Sequence, residues 1–535
     1  MPDAAAVVEG WFHSRHAGIQ SAHAHNDLPL VIDDREGRVG AFHYPRFLRH
    51  PALMSQMAHE HYDAAHPDPG DVGYEKGLSN RQVQMIAIGG AIGVGLFLGA
   101  GARLASAGPA LVLSYAGCGV IAFLVMRALG ELVIYRTSSG SFVSYGREFY
   151  GHKFAYVAGW MYILNWMFTG IAEITAVATY VLRWLPDIPQ WIPALVALMV
   201  VVAVNLMSVK AFGEFEFWAA LLKVVALIAF LVIGIGLVAT ATNIGGNTAS
   251  VSNLWRNGGF FPEGWLAPLL VTQGVIFAYA SIELVGIAAG ETKNPEKVIP
   301  RAVNAVVYRI AIFYVGSVLL LAMLLPYTAY SADESPFVTV FGQLGIPWIG
   351  DAMNLIVLTA ALSSCNSGLY STGRILRSLA ADGEAPAFTN RMSRNHVPYG
   401  GILLVASVYV LGVVLNYFVP SDAFEIALSV AALGVIWTWA VIFLCQLRLR
   451  QQINSGELQP TKFPMPGYPW TGWVGLASLG AIVVLMGFTH DGRWILGLAP
   501  LIALALALGW YAGPRRFRRN QDDHALFAQP PSADE

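Results

Sequence analysis

Between residues 83 and 513 the chain runs through one long apolar segment after another, parted by short polar loops. Segments of about 20 apolar residues match the hydrocarbon thickness of a bilayer. They fall near 83–104, 109–135, 155–182, 190–208, 215–241 and 265–289. Six more follow near 301–325, 347–380, 400–419, 423–447, 471–488 and 493–513. Lipid offers no hydrogen-bond partners, so each segment must satisfy its own backbone, and for runs of this length that means a helix. Composition agrees: 56% of the 535 residues are hydrophobic and 12% charged, against about 45–50% and 25% in soluble domains. An all-α polytopic membrane protein with twelve transmembrane helices is expected.

Lysine and arginine in short loops mark the cytoplasmic side. One set of loops carries Arg136, Arg147 and Lys153, then Lys210, then Lys293, Lys297 and Arg301. It continues with Arg374, Arg377, Arg391, Arg394, Arg448, Arg450 and Lys462, and with "RRFRR" at 515–519. The alternate loops hold only Arg103, Arg183, Arg256 and Arg493. The alternation predicts a cell-membrane protein with both termini in the cytoplasm. The first spanning run begins near Val83, so no cleavable signal peptide is expected.

Residues 1–80 hold nine of the thirteen histidines, in stretches such as "HAHNDLP" and "HEHYDAAH". They read as a disordered cytoplasmic tail, with a metal-binding tail as the alternative; residues 514–535 form a second tail. The formal charge of -2 gives no pointer to nucleic acid. Cys118, Cys365 and Cys445 lie in apolar runs, so neither a disulfide framework nor a thiolate metal site is implied. No HExxH or GxSxG motif marks a membrane enzyme, and no cofactor is expected.

Chemistry must sit where the spans are interrupted. "IAIGGAIGVGLFLGAG" (86–101) carries six glycines, each costing about 1 kcal/mol against alanine within a helix. "GVIFAYASIELVGIAAGE" (274–291) repeats the theme five spans later with Ala278, Ala280 and Ser281. An odd repeat inverts topology, and paired breaks in inverted halves point to a transporter site at the membrane midplane. Unwinding frees peptide N–H groups at the positive end of a half-helix for a carboxylate, and carbonyls for an ammonium. The other reading of such glycines is a small-residue packing seam.

Four further polar features lie within spans. Lys223 stands alone in "EFWAALLKVVALIAF"; it reads as part of a proton relay or as a lysine snorkelling to the interface about two turns from the helix start. Glu173, with Thr169 one turn earlier on the same face, reads as a functional carboxylate or a structural partner for another helix. Glu283 is open to the same two readings. Ser363, Ser364, Asn366 and Ser367 form a dense cluster whose hydroxyls either reach the Lys223 ammonium or bond back to carbonyls one turn earlier.

Taken in order, these motifs make the chain resemble the amino-acid permeases of the amino acid–polyamine–organocation superfamily, in particular the bacterial L-asparagine permease branch. The landmarks include "GYEKGLSNRQVQMIAIGGAIG" (73–93), "FLGAGARLASAGPAL" (97–111), "SSGSFVSYGREF" (138–149) and "EFWAALLKV" (216–224). "FAYASIELVGIAAGE" (277–291), "VLTAALSSCNSGLYSTGRILRS" (357–378) and "NGGFFPEG" (257–264) complete the match.

The resemblance implies two inverted five-helix repeats, over 81–241 and 265–448, plus two extra helices within 471–513. It implies a secondary transporter working by alternating access, with L-asparagine or another neutral amino acid and a proton as cargo, or a non-transporting sensor of the same fold. Residue by residue, it implies that Gly93, Val94 and Gly95 offer N–H groups to the substrate carboxylate, and the Ala91 carbonyl accepts from its ammonium. Phe277 matches an aromatic gate, and the Phe277 and Ala280 carbonyls face the ammonium; Ala278, Tyr279, Ser281 and Thr169 complete the substrate group. Lys223 matches a lysine whose ammonium stands where sodium-coupled relatives hold sodium, which implies proton rather than sodium coupling; with the intramembrane Glu173, Ser363 and Ser364 it makes up the expected proton-coupling group. Departures are visible at three residues, Val94 where many relatives carry threonine, Glu173 where aspartate is expected and Thr137 where proline is usual, and the histidine-rich N-terminal extension has no match.

Overall fold

The computed structural model describes residues 81–82, 85, 92–138, 140–289 and 295–512. The histidine-rich segment and both expected tails therefore lie outside the described residues. Among the described residues the chain is mainly helical, with one two-stranded ladder pairing Asn243–Ile244 with Asn247–Thr248.

Where the first span was expected, α1 (Val94–Phe97) starts at an extended Gly93 and is parted from α2 (Gly99–Ala107) at Leu98. Gly108, at φ +65, ends α2 and lets the chain turn into α3 (Leu111–Tyr135). The serine-rich loop after it is itself helical, as α4 (Ser141–Tyr150). Next come α5 (His152–Leu182), α6 (Trp191–Met207) and α7 (Val209–Ala239).

The expected sixth span is again interrupted. Its main pieces are α8 (Thr272–Ala278) and α9 (Leu284–Ala289), parted by five non-helical residues in which Ser281 adopts φ +75. Beyond it, α10 (Pro295–Arg309) passes through a π-helical stretch, Ile310–Gly316, into α11 (Ser317–Leu324). Then follow α12 (Pro336–Gly342), α13 (Pro347–Ala381), α14 (Tyr399–Phe418), α15 (Ala423–Ser455), α16 (Trp470–Met486) and α17 (His490–Ala512).

Among the described residues, eight helical stretches are long and apolar enough to cross a membrane, and α6 and α16 are shorter apolar helices. Of the long helices, α5 and α15 are the most enclosed. They bring Trp166 and Trp439, the two largest fully buried side chains, into the centre.

Three expectations are corrected. The fifth helix begins at Val209 rather than near 215, because the Ser208 hydroxyl caps it by accepting from the Ala211 N–H at 3.1 Å. Lys210 is thus a helix residue, and Lys223 lies about four turns in rather than two. Lys223 is also fully buried, which removes the snorkelling reading. Arg103, taken as a loop charge, lies within α2 with its side chain buried. The three cysteines are buried and unpaired.

Candidate functional site

The two interruptions meet. A Cβ on Gly95 would stand 2.6 Å from the Ala278 Cα and 3.0 Å from the Phe277 ring. Real Cβ atoms do not come that close, so only glycine lets the two backbones approach here. Gly93 faces the other way. A Cβ there would stand 3.0 Å from both Glu173 Oε1 and the Ser364 hydroxyl. The pair of glycines thus divides into one that seats the sixth-span break and one that opens toward a carboxylate.

Glu173 is buried at this point on α5, with the Ser364 hydroxyl and the Val94 backbone beside its carboxylate. Its Oε2 is buried without a hydrogen-bond partner among the described residues. A protein carboxylate therefore stands at the start of α1, where the substrate carboxylate was expected. The side chain of Val94 is buried. Thr169 does not engage Glu173; its hydroxyl donates to Asn165 Oδ1 at 3.2 Å.

In the sixth-span break, the Ala280 N–H donates to the Phe277 carbonyl at 2.9 Å and the Tyr279 N–H to the Ile276 carbonyl at 3.0 Å. The Phe277 carbonyl has one lone pair left, whereas no donor reaches the Ala280 carbonyl among the described residues. The Tyr279 hydroxyl donates to the Tyr115 carbonyl at 2.7 Å, and its ring stacks on Tyr314 with centroids 4.6 Å apart. These contacts hold the break against α3 and the π-helical stretch. Ala278 and Ser281 lie in the same buried group, and Ala91 lies outside the described residues.

Beside this pair lies an ionisable group that the sequence reading half identified. The Lys223 ammonium is 3.9 Å from Glu216 Oε1, and both side chains are 0% exposed. The Ser363 hydroxyl lies 2.8 Å from each Glu216 carboxylate oxygen. Ser363 was open to two readings, a contact with Lys223 or a bond back to its own helix; its hydroxyl is placed on Glu216, the counter-charge that sequence reasoning overlooked. The available signal was spacing: Glu216 and Lys223 are seven residues apart, two turns on one face. Adjacent serines on α13 thus lie by different acids: Ser363 is hydrogen-bonded to Glu216, and Ser364 stands beside Glu173 at Gly93. Lys223 interacts electrostatically with both. Glu283 is likewise buried, beside Trp439 and Tyr162, with neither carboxylate oxygen hydrogen-bonded among the described residues.

Two ion-pair groups flank the site. Arg103 forms a bidentate pair with Glu425 at the start of α15, at 2.9 and 2.8 Å, and also donates to the Gly99 carbonyl at 3.0 Å. Its guanidinium occupies the space a Cβ on Gly274 would fill. At the other end, Arg147 on α4 pairs with Asp382 and Glu384 just past α13, each at 2.9 Å. His152 Nδ1 is 2.8 Å from Glu384 Oε1.

Residues 82–515 match the family model described as amino acid permease. The L-asparagine permease of Salmonella typhimurium is 57% identical over 447 residues, covering 83% of this chain and 90% of its own. The L-asparagine permease of Escherichia coli is 56% identical over 447 residues with the same coverage. The L-asparagine permease of Streptomyces coelicolor is 58% identical over 464 residues, covering 85% and 95%.

Proposed function

The chain belongs to the amino acid permease family, and from that premise we propose that it imports L-asparagine together with a proton by alternating access. It is a multi-pass membrane transporter and not an enzyme. The names of its relatives support asparagine as the cargo. The observation that carries the mechanism is the close approach of two interrupted helices at Gly95 and Ala278, beside one buried lysine and two buried carboxylates.

Glu173 faces the Val94 backbone and the Ser364 hydroxyl beside Gly93. An asparagine α-carboxylate arriving at Gly93–Gly95 competes for that backbone, while the open Ala280 carbonyl accepts from the α-ammonium. Two carboxylates in one buried site repel, and a buried charge stripped of its partners costs several kcal/mol. A proton on Glu173 removes the conflict. Substrate and proton therefore favour each other's entry, a coupling that is reciprocal by linkage. Lys223, Glu216 and Ser363 form the adjoining group through which the proton leaves toward the cytoplasm.

The same reading places 81–241 and 265–448 as inverted repeats of five helices, with 471–513 supplying two more, and puts both termini in the cytoplasm. The equivalent positions of the α1–α2 and α8–α9 interruptions support it.

Reconstituted protein loaded with labelled asparagine outside and an inward proton gradient tests the proposal. Accumulation above equilibrium that collapses with a protonophore is expected. Equal levels inside and out under the gradient overturn proton coupling, and absence of any uptake overturns transport of asparagine.

A further inference from the structure

Helix α17 is the least enclosed of the long apolar helices: only 6% of its spanning window is buried. Near its end Trp510 packs edge-to-face on Tyr156 of α5, with ring centroids 5.2 Å apart. Between α5, α15, α16 and α17 runs a groove of about 540 Å³. That is within the range of about 300–1,000 Å³ typical of ligand sites. Its walls are apolar side chains such as Met161, Trp437 and Ile502, and Lys153 is the one charged residue among those lining it. Lys153 is exposed and sits in the first turn of α5.

We propose that this groove seats an acyl chain of an anionic phospholipid, with the lipid phosphate on Lys153. The walls cannot recognise a polar solute such as an amino acid, because they offer almost nothing to hydrogen-bond; they suit a hydrocarbon chain. Lys153 supplies the charge that selects a headgroup. The sequence strengthens the selection: Arg515, Arg516, Arg518 and Arg519 follow within seven residues of the end of α17. A basic run directly after a spanning helix attracts anionic lipid, each residue contributing on the order of 1 kcal/mol. Trp510 and Tyr511 at the same end are aromatic residues of the kind that settle at the headgroup level. A helix of a second copy is about 10–12 Å across; it would cover the groove rather than fill it, with no hydrophobic gain inside lipid.

Native mass spectrometry of the full chain, equilibrated with equimolar phosphatidylglycerol and phosphatidylethanolamine, tests this. Preferential retention of phosphatidylglycerol is expected. Lys153→Gln should lower the retained ratio about fivefold, and Ala503→Trp, which fills the groove, should reduce retention of both lipids. Ala503→Leu should give an intermediate loss, and unfolding midpoints identify any variant that fails to fold. An unchanged ratio in Lys153→Gln overturns the headgroup assignment, even if replacing the four tail arginines with glutamine lowers it. Unchanged retention in folded Ala503→Trp and Ala503→Leu overturns the groove. A change in oligomeric state without a change in lipid assigns the surface to a second copy and likewise overturns the proposal.

Discussion

Lys223 and Glu216 stand 3.9 Å apart on one helix, two turns from each other, with both side chains closed off from solvent. A buried pair of this kind contributes little net stability, but removing one member strands the other at a cost of about 3–5 kcal/mol. Lys223→Ala alone should therefore lower the unfolding temperature and abolish gradient-driven accumulation. Adding Glu216→Gln should restore the unfolding temperature and leave accumulation abolished. Thermal unfolding and uptake measured on the same preparations check both outcomes.

Ser363 and Ser364 make different demands. Hydrogen bonds to charged groups are worth about 1.5–3 kcal/mol. Ser363→Ala should be non-additive with Glu216→Gln, and Ser364→Ala non-additive with Glu173→Gln. The crossed pairs should add to within about 0.5 kcal/mol. A double-mutant cycle on unfolding free energy measures this, and coupling in the crossed pairs would disprove the separation.

Gly95→Ala should reduce uptake at least tenfold through a lower maximal rate. Its Cβ would meet backbone atoms of Ala278, which cannot yield as a side chain can. Gly93→Ala meets the ends of two side chains and should chiefly raise KM. Initial-rate kinetics on reconstituted protein distinguish the two; equal effects on both parameters would count against the assignment.

Glu173→Asp withdraws the carboxylate by one methylene from Val94 and Ser364 and enlarges the space beside Gly93. One methylene is worth about 1–3 kcal/mol in a pocket. Relative inhibition of asparagine uptake by glutamine should rise by about tenfold. No change in a competition series would remove Glu173 from the specificity pocket.

Arg103→Gln and Glu425→Gln should each slow transport, and the double variant should be no slower than the worse single one. The pair ties α2 to α15, so a cycle with additive losses would show that the two charges act separately. Uptake rates at saturating asparagine provide the measurement.

The two interruptions were legible in the sequence because glycine and small residues are poor helix formers, and a membrane span has few reasons to tolerate them. Lys223 and Glu173 were legible because ions in hydrocarbon are costly. Glu216 was hidden by a boundary. With the helix taken to start near 215, an acid at its first turn looks like an ordinary N-terminal carboxylate; the Ser208 cap moves it two turns inward. Arg103 was hidden the same way, since α2 is short and its arginine pairs across to a helix more than 300 positions away. The division of labour between Ser363 and Ser364 depends on which neighbours flank α13, which local sequence does not contain.

The two serines occupy successive positions on a helix that advances 100° and about 1.5 Å per residue. The two side chains therefore leave α13 in directions about 100° apart, so one helix can stand against Glu216 and Glu173 at once and answer to each separately. If the proposed coupling of asparagine to a proton holds, loss of either contact should show as a leak, with substrate running downhill uncoupled, rather than as a silent pump.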